Sequence, residues 1–285
     1  MPVPIYVSVS FATPELRETF LELFRKNENI RRNPLLHVYV RPEQTSQMRH
    51  YAMLCEIIRA SGQLQWVLFC DDDDLYAKDR VKVFSENIQS CRQLGSGTKL
   101  AGAYESTFGK HHREHRHEYW CYCLHIDILT RFFEVVSQWA DVLDHQCCDI
   151  LLAEYVRRLH DDWTFVRITD LLYHYKTEDN GDSVTGTIQR RRSTWQPCPP
   201  DQVDPIFPDY MVALNDFLHQ NLSLYEHDTY LRTIVGNSFD DILRHEFKAD
   251  YPFLKFVDEV HVDKLKQYHQ YLRDICNKLY DNVLP

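Results

Sequence analysis

The chain has 285 residues, 44% of them hydrophobic, which is enough for one domain with an appendage or for two small domains. Its formal net charge of -10 argues against broad binding to a nucleic-acid backbone, though it leaves room for a local phosphate site. No basic stretch precedes a long apolar one at the start, "MPVPIYVSVSF", and no run of about 18 apolar residues occurs. The reading is therefore no signal peptide, no membrane span and a cytoplasmic location.

Strands and helices alternate through the first half. "IYVSVSF" (5–11) is rich in β-branched and aromatic residues and predicts a buried strand. A helix follows in "TPELRETFLELFRKN", with Thr13 as N-cap, Pro14 at the first helical position and an apolar stripe of Leu16, Phe20, Leu23 and Phe24. "LLHVYV" (35–40) predicts a second strand, and residues 46–61 a second helix ending near Gly62. "QWVLFC" (65–70) is a third strand and residues 78–91 a third helix. This order predicts an α/β fold, a mainly parallel sheet flanked by helices, with ligands beyond the carboxyl ends of the strands.

The second half is less regular. A strand is expected near 99–106, a polar loop over 108–118, and a strand running into a helix from 119. Residues 145–159 have helical periodicity, with Cys148, Leu151, Leu152, Tyr155, Val156 and Leu159 on one face. Residues 163–176 are strand-like, and 177–194 are polar. Four prolines mark 195–205 as a linker, so the expected organisation is a domain over 1–194 and a helical C-terminal appendage over 206–285. The appendage suits an acceptor platform, a lid or a homodimer contact. Nine cysteines sit mostly in apolar patterns such as "WCYCL" and read as reduced, buried thiols, and "CYC" lacks zinc-pair spacing.

The third strand runs into four aspartates, "WVLFCDDDDLYAKDRV". If extended geometry persists, Asp71 and Asp73 point one way and Asp72 and Asp74 the other. A carboxylate pair of this kind suits Mg²⁺ or Mn²⁺, whose charge cancels the repulsion and attracts a diphosphate. The plain alternative is a solvated acidic loop before a helix N-terminus, with Asp74 and Asp79 favoured by the dipole. An EF-hand loop fails at Leu75 and Tyr76, and a DDxxD motif at Leu75, Tyr76 and Ala77. In a phosphatase DxD motif Leu75 is out of place, and "GSGTKLAG" matches neither glycine-rich phosphate fingerprint.

"VLFCDDDDLYAKDRV" resembles the DXD segment of GT-A-fold nucleotide-sugar glycosyltransferases, especially the family 2-like group, and the resemblance covers roughly residues 3 to 190. It implies a GT-A, Rossmann-like domain with Mn²⁺ or Mg²⁺ as cofactor. The donor would be a UDP- or GDP-sugar, the acceptor a hydroxyl of a glycan, glycoprotein or other molecule. Asp71 and Asp73 then hold the metal and Asp71 and Asp72 the donor, while His174 in "LLYHYK" completes the metal site. Arg49, next to His50 in "SQMRHYAML", stands near the diphosphate. Ser10, Phe11, Ala12 and Thr13 lie against the nucleotide, and Glu43 or Arg41 stands where an aspartate is common. Asp149 takes the role of catalytic base in an inverting reaction, although Cys148 replaces the family's preceding acid; Asp144 and Glu154 are fallback bases. Arg190, Arg191 or Arg192 would reach the phosphates from 177–194 as that segment closes, and "KHHREHRHE" forms a loop on the acceptor side. Competing readings are a non-catalytic nucleotide-sugar-binding protein on the same fold and a metal-dependent phosphatase or nucleotidyltransferase.

Overall fold

The computed structural model describes residues 2–72, 74–93, 99–106, 118–159, 163–174, 225–245 and 259–280. The chain divides into two compact units, Met1–Lys176 and Thr177–Pro285. The proline-rich stretch 195–205, the polar stretch 177–194 and the histidine-rich loop lie outside the described residues.

The first unit opens with β1 (Ile5–Val9), α1 (Pro14–Lys26), the short α2 (Glu28–Arg31), β2 (Leu36–Val40), α3 (Gln47–Ser61) and β3 (Trp66–Leu68). Local chemistry sets the helix ends. Thr13 accepts the Leu16 N–H and Pro14 sits in the first turn of α1, while Ser46 caps α3 by accepting the Arg49 N–H. Gly62 ends α3 in the left-handed region, φ 64°, where a side chain is disfavoured. β1 and β2 pair in parallel, as the alternation predicts. The stripe on α1 is only partly covered: Phe20 lies between Phe11 and Phe24, whereas Leu16 and Leu23 are 54% and 63% exposed.

A two-residue strand β4 (Leu75–Tyr76), helix α4 (Arg80–Gln93) and strand β5 (Leu100–Glu105) follow. A 3-10 turn, Tyr119–Cys121, leads into β6 (Tyr122–His125), α5 (Ile126–Val136), the short α6 (Ala140–Leu143), α7 (Cys148–Arg158), β7 (Thr164–Ile168) and β8 (Tyr173–His174). The central sheet has the order β3-β6-β5-β7. β6 is antiparallel to both neighbours and β5 is parallel to β7, so three of the four strands share one direction. The mainly parallel sheet expected from the alternation thus holds in part: β1 and β2 form a separate parallel pair, β6 is reversed in the central sheet, and β4 and β8 form a separate antiparallel pair. The long strand expected over 163–176 is broken between Ile168 and Tyr173.

Alternation decides the faces of this sheet. Ala103 and Cys123 point to α4 and pack with Phe84, Ile88, Ile168 and Leu172. Burial of Phe84 and Ile88 stabilises the fold by about 1.5–3 kcal/mol each. On the opposite face Tyr104, Tyr122 and Phe165 form a ring cluster. Gly102 is required at the close approach of β5 and β6: a Cβ there would lie 2.2 Å from the Cys123 carbonyl oxygen.

The second unit is described over three helical stretches, 225–234, Phe239–His245 and Glu259–Tyr280. The first two are separated at Gly236, φ 102°. Leu265, Leu272, Ile275, Cys276 and Leu279 give the last helix a buried face, and Tyr280 donates to the Ile234 carbonyl.

Six of the eight described cysteines are buried and all eight are free thiols; Cys70 is exposed and Cys91 intermediate. Burial pushes the Cys55 and Cys123 thiols up to about 12, so they are inert at neutral pH. No described helix is long and apolar enough to cross a membrane.

Candidate functional site

The aspartates lie just past the carboxyl end of β3, but they do not continue the strand. Asp74 N–H donates to the Asp71 carbonyl at 3.3 Å, which closes a turn. The expected split into Asp71/Asp73 and Asp72/Asp74 depends on extended backbone, and the turn between Asp71 and Asp74 departs from it. The turn brings Asp71 and Asp74 to one tyrosine instead: Tyr173 accepts the Asp71 N–H and donates to Asp74 Oδ2. Asp74 is 6% exposed and occupied there, not at the start of α4, which begins at Arg80. Asp72 is exposed, and Asp73 lies outside the described residues.

Asp71 is held by three side chains. Its Oδ1 accepts from Gln47 Nε2 at 3.0 Å, Tyr51 hydroxyl at 3.0 Å and Tyr119 hydroxyl at 2.5 Å. Gln47 and Tyr51 are one helical turn apart on α3, so both reach the same carboxylate. Burial first holds both the Tyr51 and Tyr119 hydroxyls well above the ordinary tyrosine range; the Asp71 charge comes next for Tyr51, and Tyr51 and then Asp71 for Tyr119. They stay protonated and act as donors.

Beneath the turn sits a buried ion pair. Arg80 Nε meets Glu105 Oε1 at 2.6 Å with both side chains fully enclosed. Arg80 also donates to the carbonyls of Phe69 and Trp120, and its guanidinium lies over the Tyr76 and Tyr173 rings. Burial raises the Glu105 carboxyl above its ordinary value, and the Arg80 charge opposes that rise. Tyr76 donates to the Phe69 carbonyl as well, so the backbone entering the aspartates is held from two sides.

The start of α3 is the hub. Arg49 Nε and Nη2 grip Asp144 Oδ1 and Oδ2 at 2.5 and 2.8 Å, and Ser46 donates to the same carboxylate. The Arg49 hydrogen bond, with help from its charge, keeps Asp144 below the usual carboxylate value. His50 spans β1, with Nδ1 2.7 Å from Ser8 and Nε2 3.0 Å from Ser10, whose hydroxyl also accepts the Thr45 N–H. Burial, and then Arg41, lower the His50 pKa below its ordinary 6.5.

Of the residues expected from sequence, Ser10, Arg49 and Asp71 are gathered around the first turns of α3. Phe11 is taken up in ring packing and Thr13 in capping, while Glu43 is exposed and lends its carbonyl to Thr45. Arg41 donates to Met53 Sδ. His174 is exposed on β8 opposite Leu75. Among the described residues no three His, Cys, Asp or Glu side chains come close enough to share a metal ion. Asp149 lies in the first turn of α7, where a negative charge suits the helix dipole, and α7 packs on the Tyr119–Cys121 turn. The fallback bases fare differently: Asp144 is committed to Arg49, and Glu154 is 2% exposed between Arg157 and Arg158. Sequence reasoning missed Gln47, Tyr51, Arg80, Glu105, Tyr119 and Tyr173. The aromatic stretch "EYWCYC" and the i, i+4 spacing of Gln47 and Tyr51 were the available signals.

No protein-family model matches the chain, and no curated protein matches it in sequence.

Proposed function

We propose that the first unit is a metal-dependent glycosyltransferase of GT-A type, moving a sugar from a nucleoside-diphosphate sugar to an acceptor hydroxyl with inversion. The observation that carries this reading is the position of the aspartate turn. It lies past the carboxyl end of β3 and is tied by Gln47 and Tyr51 to the N-terminal turns of α3, which also bear Arg49. That is where a parallel-type sheet presents its ligands. The resemblance of the DXD segment agrees with it.

The donors at the turn are oxygens, which fits Mg²⁺ or Mn²⁺, and such an ion needs only one or two carboxylates when diphosphate oxygens and water fill the rest. Asp71 with Asp72 or Asp73 would hold it. Once bound, the ion supplies Lewis-acid stabilisation of the leaving diphosphate. The chain's own residues do the rest. Tyr51, Tyr119 and Gln47 orient Asp71 and spread its charge. Arg49 uses Nε and Nη2 on Asp144, which leaves Nη1 as the donor for a phosphate oxygen. Asp149 takes the proton from the acceptor hydroxyl as that oxygen attacks the anomeric carbon. Ser10, held by His50 and the Thr45 amide, offers its hydroxyl side of β1 to the nucleotide.

A thermal-shift screen of nucleoside diphosphates and nucleotide sugars, with and without Mn²⁺, should find one donor that raises the melting point only with the metal. With that donor, product analysis should give nucleoside diphosphate plus transferred or hydrolysed sugar, and Asp71→Asn/Asp73→Asn should abolish turnover. Turnover that survives the double change, or release of phosphate or pyrophosphate, sinks the transferase mechanism. Donor binding without turnover makes the chain a binding protein on this fold.

A further inference from the structure

Tyr173 lies about a hundred positions beyond the aspartates in sequence, yet its hydroxyl bonds to both ends of their turn. It accepts the Asp71 N–H at 3.2 Å and donates its proton to Asp74 Oδ2 at 2.6 Å. Neither bond competes with the other, because a phenol has one proton to give and lone pairs to receive. The pairing of Tyr76 with Tyr173 and the Ala77 N–H bond to the Leu172 carbonyl bring the ring to that place. The ring itself has little freedom. It stacks on Trp120 with centroids 4.5 Å apart and planes 16° from parallel, and the Arg80 guanidinium lies 4.7 Å from its centre. Tyr173 is 2% exposed.

We infer that Tyr173 is a positioning residue: it latches the aspartate turn in one conformation and thereby sets the affinity of that turn for a divalent cation. The claim about affinity rests on the metal-dependent reading above; the latch itself rests only on the geometry. A turn of four neighbouring acids repels itself, and a free backbone would spread the carboxylates apart. Tyr173 opposes this at its two ends, one through the backbone and one through a carboxylate.

The test uses the full chain and Tyr173→Phe, which keeps the stacked ring and removes only the hydroxyl. Amide hydrogen exchange, measured without metal, should show the Asp71 N–H exchanging about tenfold faster than in the wild type, with the amides of β5 and β6 unchanged. Mn²⁺ titration followed by the EPR signal of free Mn²⁺ should show affinity weakened about tenfold or more. Trp120→Phe, which alters the stack but leaves the hydroxyl, should bind Mn²⁺ as the wild type does. Should Tyr173→Phe fail to fold, Asp74→Asn takes its place, since it weakens the Tyr173 bond by removing the acceptor's charge and should shift both readouts the same way. Unchanged exchange at Asp71 overturns the latch. Faster exchange with full Mn²⁺ affinity reduces Tyr173 to a structural residue and overturns the positioning role. A wild-type chain that ignores Mn²⁺ sinks the metal reading and the affinity claim together, and the exchange rates, which need no metal, then decide on the latch alone.

Discussion

Arg80→Met is the sharpest probe of how the aspartate turn is held up. Arg80 and Glu105 are both completely enclosed, and Arg80 makes three hydrogen bonds, to Glu105, the Phe69 carbonyl and the Trp120 carbonyl. Methionine fills similar volume but leaves Glu105 a buried carboxylate, with the Leu172 N–H among its remaining donors. Removing one partner of a buried pair costs about 3–5 kcal/mol, because the other charge is stranded. That is a large fraction of the about 5–15 kcal/mol that holds a domain together. Urea unfolding at pH 7 measures it, and Arg80→Met/Glu105→Gln should recover a substantial part of the loss, since no charge is then stranded. The sign with pH follows from Glu105. Its folded pKa is already raised by burial, and the loss of Arg80 raises it further. The folded state of Arg80→Met then binds a proton that the unfolded state has released, so the variant should gain stability as pH falls from 7 towards about 5. A loss below about 1 kcal/mol, or an equal loss with and without Glu105→Gln, refutes the reasoning.

Gly102→Ala places a Cβ 2.2 Å from the Cys123 carbonyl oxygen, and backbone in the middle of a sheet cannot yield cheaply. A cost of about 1–3 kcal/mol or more is expected in chemical unfolding, and a neutral result would mean that β5 and β6 are farther apart. His50 has a folded pKa lowered by burial, so its contribution to stability is fully present above about 6.5 and is lost as pH falls through the folded value. The urea midpoint should therefore drop between about pH 7.5 and 5.5, and His50→Gln should drop less over the same interval. Equal slopes in the two proteins would show that other groups among the 15 histidines dominate.

How much of this was legible in the sequence depended on the range of the interaction. The caps at Thr13, Ser46 and Gly62 read directly, because a cap is satisfied within three residues of its own backbone. The order of the longer strands and helices through Gln93 also read directly, since period and turn chemistry are local, while the short α2 and β4 did not. The direction of β6 did not. Tyr122–His125 has the composition of any buried strand, and nothing within four residues says that it runs against β3 and β5. Asp71 was legible as a candidate by its place after an apolar strand; its company was not. Gln47, Tyr51 and Tyr119 reach it from 20 to 48 positions away, and Tyr173 from 102.

The sequence alone determined that the chain builds strand–helix units and that a cluster of carboxylates follows the third strand. Both are consequences of hydrophobic period and short-range backbone chemistry. Tertiary structure decided that the cluster is a turn, that Asp71 and Asp74 answer to one tyrosine, and that Asp144 and Glu154 are spent on arginines. Carboxylates look alike in a sequence. Their partners, and therefore their charge, orientation and availability, are set by which distant donors the packing of the sheet and helices delivers to them.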